Sequence, residues 1–153
     1  MKSKITKICL IFTLCTISSL LFFSNDIHAS ESGRTYYASF TGHTHNGYDE
    51  NDMWYAGPGT IRVRGRHWIA SRGYREANIN MQLRRDNWPF SVKYDKFFVG
   101  HINSNDNYNW STGKPFDVSW EVGDSGKRYY LQVTSGSVDT NKVGYGTISY
   151  TSR

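Results

Sequence analysis

Residues 60–85 read TIRVRGRHWIASRGYREANINMQLRR, and this stretch decides the fold class. Ile61, Val63, Gly65, His67 and Ile69 share one parity, while Arg62, Arg64, Arg66 and Trp68 share the other. Ala77, Ile79, Met81 and Leu83 alternate in the same way with Asn78, Asn80, Gln82 and Arg84. A period of two belongs to strands that bury one face and wet the other. Gly73 in the intervening SRGYRE offers a turn, so the pattern predicts an antiparallel hairpin. The wet face of that hairpin would set Arg62, Arg64, Arg66 and Trp68 beside Asn78, Asn80, Gln82 and Arg84. Seven of the ten arginines fall here against one acid, Glu76.

Outward from this stretch the chain reads as further short strands with no helix. They are Arg34–Thr41, Ser91–Ile102, Phe116–Val122, Arg128–Thr134 and Gly144–Thr151. Turn residues separate them at Pro58-Gly59, 113–115, 123–127 and 139–142. The expectation is an all-β fold, a single antiparallel β-sandwich or flattened barrel of about 7–8 short strands.

The first 29 residues have a different character. Lys2, Lys4 and Lys7 precede an uncharged run from Ile8 to Phe23, and Ala29 offers a small residue before a cut. That is the layout of a secretory signal peptide, and the apolar run is short for a membrane span. The expected mature chain is one secreted domain of residues 30–153. Cys9 and Cys15 both lie in the leader, so the mature domain has no disulfide, thiol nucleophile or cysteine-held metal.

Beyond residue 29 there are 15 Lys and Arg against 12 Asp and Glu, a net of +3, whereas residues 60–85 alone carry +6. Such segregation suits an anionic partner outside the cell: a wall polymer, an acidic glycan, lipid headgroups or extracellular nucleic acid. Five Trp, eleven Tyr and five Phe fall in the same region. Phe40, Phe116 and Trp120 sit on apolar faces, but Trp54, Trp68, Trp88, Trp110, Tyr48 and Tyr108 lie in loops or on the polar parity. Aromatic rings among Asn, Asp, Gln and Arg suit sugars, whose flat apolar faces stack while their edges hydrogen-bond. The same mixture is compatible with single-stranded nucleic acid or a membrane surface, but no dedicated nucleic-acid motif is present.

F-x-G-H occurs twice, at Phe40–His43 and Phe98–His101, each time followed by an Asn/Asp-rich loop and W-x-x-G at Trp54 and Trp110. Duplicated halves would place the two loops alike. His43 and His45 at i and i+2 would share a strand face as metal ligands do, and Asp49, Glu50 and Asp52 follow. The segment reads more simply as a polar loop, so no metal or other cofactor is assigned. No nucleophile elbow, phosphate loop or zinc-protease helix appears, so nothing requires catalysis and no catalytic residue is assigned.

The reading is therefore a secreted binding protein for a cell-surface glycan or anionic wall polymer. Its candidate ligand residues are Arg62, Arg64, Arg66, Trp68 and Arg84, with Trp54, Trp110, His43 and His101 from the loops. The alternatives are an antibacterial or cytolytic β-protein acting on a target envelope, and a small hydrolase using loop His and Asp residues.

Overall fold

The computed structural model describes residues 33–50, 52–71 and 73–153. The leader at residues 1–29 lies outside the described residues. Nine strands follow in order: β1 Arg34–Phe40, β2 Thr44–Asn46, β3 Trp54–Ala56, β4 Gly59–Ile69, β5 Glu76–Asn87, β6 Phe90–Asn103, β7 Lys114–Val122, β8 Lys127–Ser135 and β9 Lys142–Ser152. One antiparallel sheet has the order β1-β9-β4-β7, and the other β2-β8-β5-β6, with β3 also on β8. The two sheets pack as a sandwich, as the alternation predicts. The seven longer strands fall where it places them. The two additions, β2 and β3, have three residues each, too few for a period of two to declare itself.

The hairpin over residues 60–85 is not formed. β4 lies between β7 and β9 in the first sheet, and β5 lies between β6 and β8 in the second. The chain instead crosses between sheets after β4, and the described residues on either side of the crossing are held by other segments: Ala70 N–H donates to Asn141 O (2.8 Å) and Arg75 N–H to Ser104 Oγ (2.9 Å). Alternation decides which face of a strand is buried and leaves its partner open. The six-residue connection lacks the two-residue turn that closes a tight hairpin.

Both burial patterns nevertheless hold. Ile61, Val63 and Ile69 of β4 join Ile79, Met81 and Leu83 of β5 in one core. Since the inward faces oppose each other, the polar rows of β4 and β5 point to opposite sides of the sandwich. At one edge the sheets are tied by Trp120 of β7, whose Nε1–H donates to Asp95 O of β6 (2.7 Å) while its ring packs on Phe97.

The duplication suggested by F-x-G-H has no counterpart in the topology. A two-fold carrying β1 onto β6 would exchange the sheets, yet the strands that follow the two loops, β4 and β7, are neighbours in one sheet. The tryptophans differ as well, with Trp54 buried and Trp110 exposed.

Beneath the first sheet, a polar group is enclosed at the core. Tyr36 Oη lies 2.7 Å from His67 Nε2, and the His67 ring stacks on Phe116 at 4.5 Å. Gly144 makes room for this pair, since a Cβ there would lie 2.5 Å from His67 Cδ2 and 2.6 Å from Tyr36 Oη. Burial pulls the His67 imidazole down to about 3 and pushes the Tyr36 phenol far above its ordinary value. An unfolded His67 titrates near 6.5, so between these values the unfolded chain binds a proton that the folded chain excludes. Its contribution is present above pH ~6.5 and is lost as pH falls towards 3.

Lys142 is also buried, with its Nζ donating to the carbonyls of Thr41 (2.7 Å), Gly42 (2.9 Å) and Ser137 (2.6 Å). Three donors meet three acceptors, which joins the turn after β1 to the turn after β8. Burial lowers the Lys142 pKa, and Asp139 opposes that shift.

Two stability measurements test these buried groups. Thermal melts should show stability falling from pH 6.5 to 5 by at most ~1.4 kcal/mol per unit on account of His67, and His67→Gln should flatten that slope. Lys142→Met strands three carbonyls and should cost roughly 2–5 kcal/mol in denaturant unfolding, whereas Lys127→Met on the surface should stay within ~0.5 kcal/mol.

Candidate functional site

The outward row of β4 lies in the interior of its sheet, so its neighbours are set by register. Arg64 is flanked by Thr147 of β9 and Asp117 of β7, and Arg66 by Tyr145 and Pro115. One strand further, Thr35 stands opposite Thr147 and Tyr37 opposite Tyr145. Trp68 comes next along β4, opposite Val143. A strip of cationic, aromatic and hydroxyl side chains thus runs across four strands.

Asp117 organises the first two arginines. Arg62 grips it through both Nε (2.7 Å to Oδ1) and a terminal nitrogen to Oδ2, while Arg64 Nε lies 3.1 Å from Oδ2. The Arg62 hydrogen bond holds the Asp117 carboxyl below its ordinary value, and Asp117 raises the Arg62 guanidinium in return. One carboxylate between two guanidiniums orders both and leaves the pair with net positive charge. These groups are largely exposed, so the arrangement fixes orientation more than it adds stability.

Arg66 has another role. Its guanidinium donates to Ser111 O (3.2 Å) and Gly113 O (2.8 Å), both in the 104–113 segment between β6 and β7. Here the Asn-rich sequence supplies its own turn partners. Asn103 Oδ1 accepts from the backbone of Asn105 and Asp106, Asn109 Oδ1 from Thr112 N–H, and Thr112 Oγ1 from Tyr108 N–H. Such side chains replace backbone acceptors and hold a non-repetitive loop in one shape. Gly113 sits in a tight place, since a Cβ would lie 3.1 Å from both Arg66 Cβ and Asn109 O.

The loop carries Trp110 over the sheet. Trp110 packs edge-on against Tyr145 (5.4 Å) and Trp68 (6.2 Å), with the Arg66 guanidinium 5.9 Å from its ring centre. Even so, Trp110 stays 47% exposed and Tyr145 45%, so both retain surface for a ligand. Between them and Arg64 lies an open depression of about 510 Å³, bordered also by Thr35, Asp117 and Thr147. Gly65 and Gly146 lie in its lining, paired across β4 and β9. A Cβ on Gly146 would fall 1.9 Å from Arg64 O, so glycine lets the β4 and β9 backbones approach closely there. A second open depression, about 480 Å³, shares Thr35 and continues past Tyr37 to the Arg34–Asp52 ion pair and to His45 beside Glu50.

The structure therefore brings together Arg62, Arg64, Arg66, Trp68 and Trp110, and places the other candidates elsewhere. Trp54 is only 4% exposed and belongs to the core. Arg84 lies on the outward row of β5, on the opposite side of the sandwich, where it donates to Ser91 Oγ. His101 is on the outer side of β6 against Asn78 Oδ1 (3.0 Å), and His43 Nδ1 lies 3.1 Å from Ser135 O. The His43 ring thus lies against the end of β8 and the His101 ring against β5. Among the described residues no three His, Cys, Asp or Glu side chains converge as metal ligands would.

Tyr145, Tyr37, Thr147 and Asp117 join the site although residue type and spacing do not single them out. Each sits on the polar parity of its own strand, so the signal existed. Only strand pairing, however, places β1, β7 and β9 beside β4.

No protein-family model matches the chain, and no curated protein matches it in sequence. Among solved structures it is similar to the Yersinia pseudotuberculosis-derived mitogen, with a TM-score of 0.42 and 13% identity over 79% of this chain and 88% of that one. A likeness at this level bears on neither ligand nor activity.

Proposed function

We propose that this chain is a secreted binding protein that takes an anionic glycan or wall polymer on the outer face of the β1-β9-β4-β7 sheet. The observation that carries the reading is the Trp110–Tyr145–Arg66 cluster beside the Arg62/Asp117/Arg64 group. Half-exposed rings offer apolar surface to the C–H face of a sugar. Arg64 offers a planar fork to a carboxylate, sulfate or phosphate on it. Thr35 and Thr147 supply hydroxyls at the sugar edge. The two depressions meet at Thr35, which suits an extended polymer better than a compact ligand. Secretion, expected from residues 1–29, would bring the domain to such polymers.

The test is binding of the purified domain to anionic and neutral polysaccharides, by co-sedimentation or calorimetry. Arg64→Ala and Trp110→Ala should each weaken binding to the anionic polymer at least about tenfold, or ~1.4 kcal/mol. The Arg64 effect should vanish in ~1 M salt, where screening acts within about 3 Å, and the Trp110 effect should persist. Arg84→Ala on the opposite face should change nothing. Binding that survives replacement of Arg62, Arg64 and Arg66 together by Ala would refute the proposal.

A further inference from the structure

The most exposed large apolar side chains lie far from that sheet, at the tip of the β5–β6 hairpin. Trp88 is 85% exposed and Phe90 79%. They flank Pro89 where Asn87 pairs with Phe90. A Trp and a Phe this bare, two positions apart, are unusual in a protein surface.

The charges around the tip are sorted. Asp86, the acid closest to the turn in the chain, is held by Arg128. Arg84 and Lys93 pair across the hairpin, and among the described residues neither has a carboxylate partner. The half-buried Arg84 donates to Ser91 Oγ, and Lys93 is exposed. Each stands three residues from the tip, which at the strand rise is about 10 Å. An interfacial element sinks about 5–10 Å into the boundary between headgroups and acyl chains. With Trp88 and Phe90 at that depth, Arg84 and Lys93 sit level with the headgroups. Lys96, paired with Gln82, adds positive charge further up the same strand, beside the exposed Asp95.

We infer that the Trp88–Phe90 hairpin tip is a wedge that inserts into an anionic phospholipid surface, with Arg84 and Lys93 as its headgroup-binding collar. Trp is the residue of choice at such an interface because its ring is apolar and its N–H stays wet. The collar selects anionic lipid through attraction that decays within a Debye length. The wedge rises from the sheet opposite to the one bearing Arg64 and Trp110, so it does not depend on the glycan reading.

The experiment is sedimentation of the full domain with vesicles of phosphatidylcholine alone or mixed with phosphatidylglycerol. The wild type should bind the mixed vesicles. Trp88→Ala with Phe90→Ala should lower its partition at least about tenfold while leaving the melting temperature and polysaccharide binding unchanged. Arg84→Ala with Lys93→Ala should abolish the preference for phosphatidylglycerol. Trp88→Phe should retain binding but lose most of the quenching of tryptophan fluorescence by doxyl-labelled lipid. Absence of vesicle binding by the wild type at low salt would overturn the inference, as would equal binding by the Trp88/Phe90 double variant. So would a double variant that converts a dimer to a monomer without any vesicle binding by the parent, since the tip would then be a contact between copies of the chain.

Discussion

Each sheet of this sandwich has one face against the core, and nearly everything else follows from that limit. β4 is bounded by a strand on each side and by the second sheet beneath, so its outward row is its only polar outlet. Ile61, Val63, His67 and Ile69 fill the inside, and Arg62, Arg64, Arg66 and Trp68 must therefore emerge together. The inner layer tolerates a histidine because Tyr36 meets its ring nitrogen and Gly144 leaves the space. Buried neutral, that histidine couples the core to pH while the arginine row directly outside carries the charge.

A sheet holds side chains in orientation more firmly than a loop does, and the arginine–aromatic face uses both. Arg62 and Arg64 are set by cross-strand bonds to Asp117. Trp110 comes from a loop, yet that loop is braced by its own Asn and Thr side chains and by Arg66 from the sheet below. Arg66 thereby links charge to aromatic position, and losing it would disturb the tryptophan as well as the field. Preorganisation of this kind lowers the ordering cost of binding, which matters for a shallow, open surface.

The two outward faces present different chemistries. One is a strip of arginines, rings and threonines with a depression along it. The other carries a protruding apolar hairpin tip with cations behind it. The edges between them are closed by specific bonds, Trp120 to Asp95 on one side and the Arg34–Asp52 pair near the other. The buried Lys142 ammonium ties the turns at one end.

The local order of this protein was legible in the sequence. Strict alternation in β4 and β5 identified the buried and wet rows, because pleating makes successive side chains point in opposite directions. The concentration of arginine in residues 60–85 marked a charged surface. Partnership was not legible, because alternation is silent about which strand lies alongside. The tertiary structure put β4 and β5 in different sheets, which removed Arg84 from the arginine face and sent it to the opposite side. It enclosed Trp54 and exposed Trp110, although both open a W-x-x-G, since β3 is pinned on β8 while the 104–113 loop folds over β4. It also brought Tyr145, Tyr37 and Asp117 to Arg64 and Arg66 from distant parts of the chain. Residue type and period determined what each strand offers to water; the packing of two sheets decided which of those offerings share a surface.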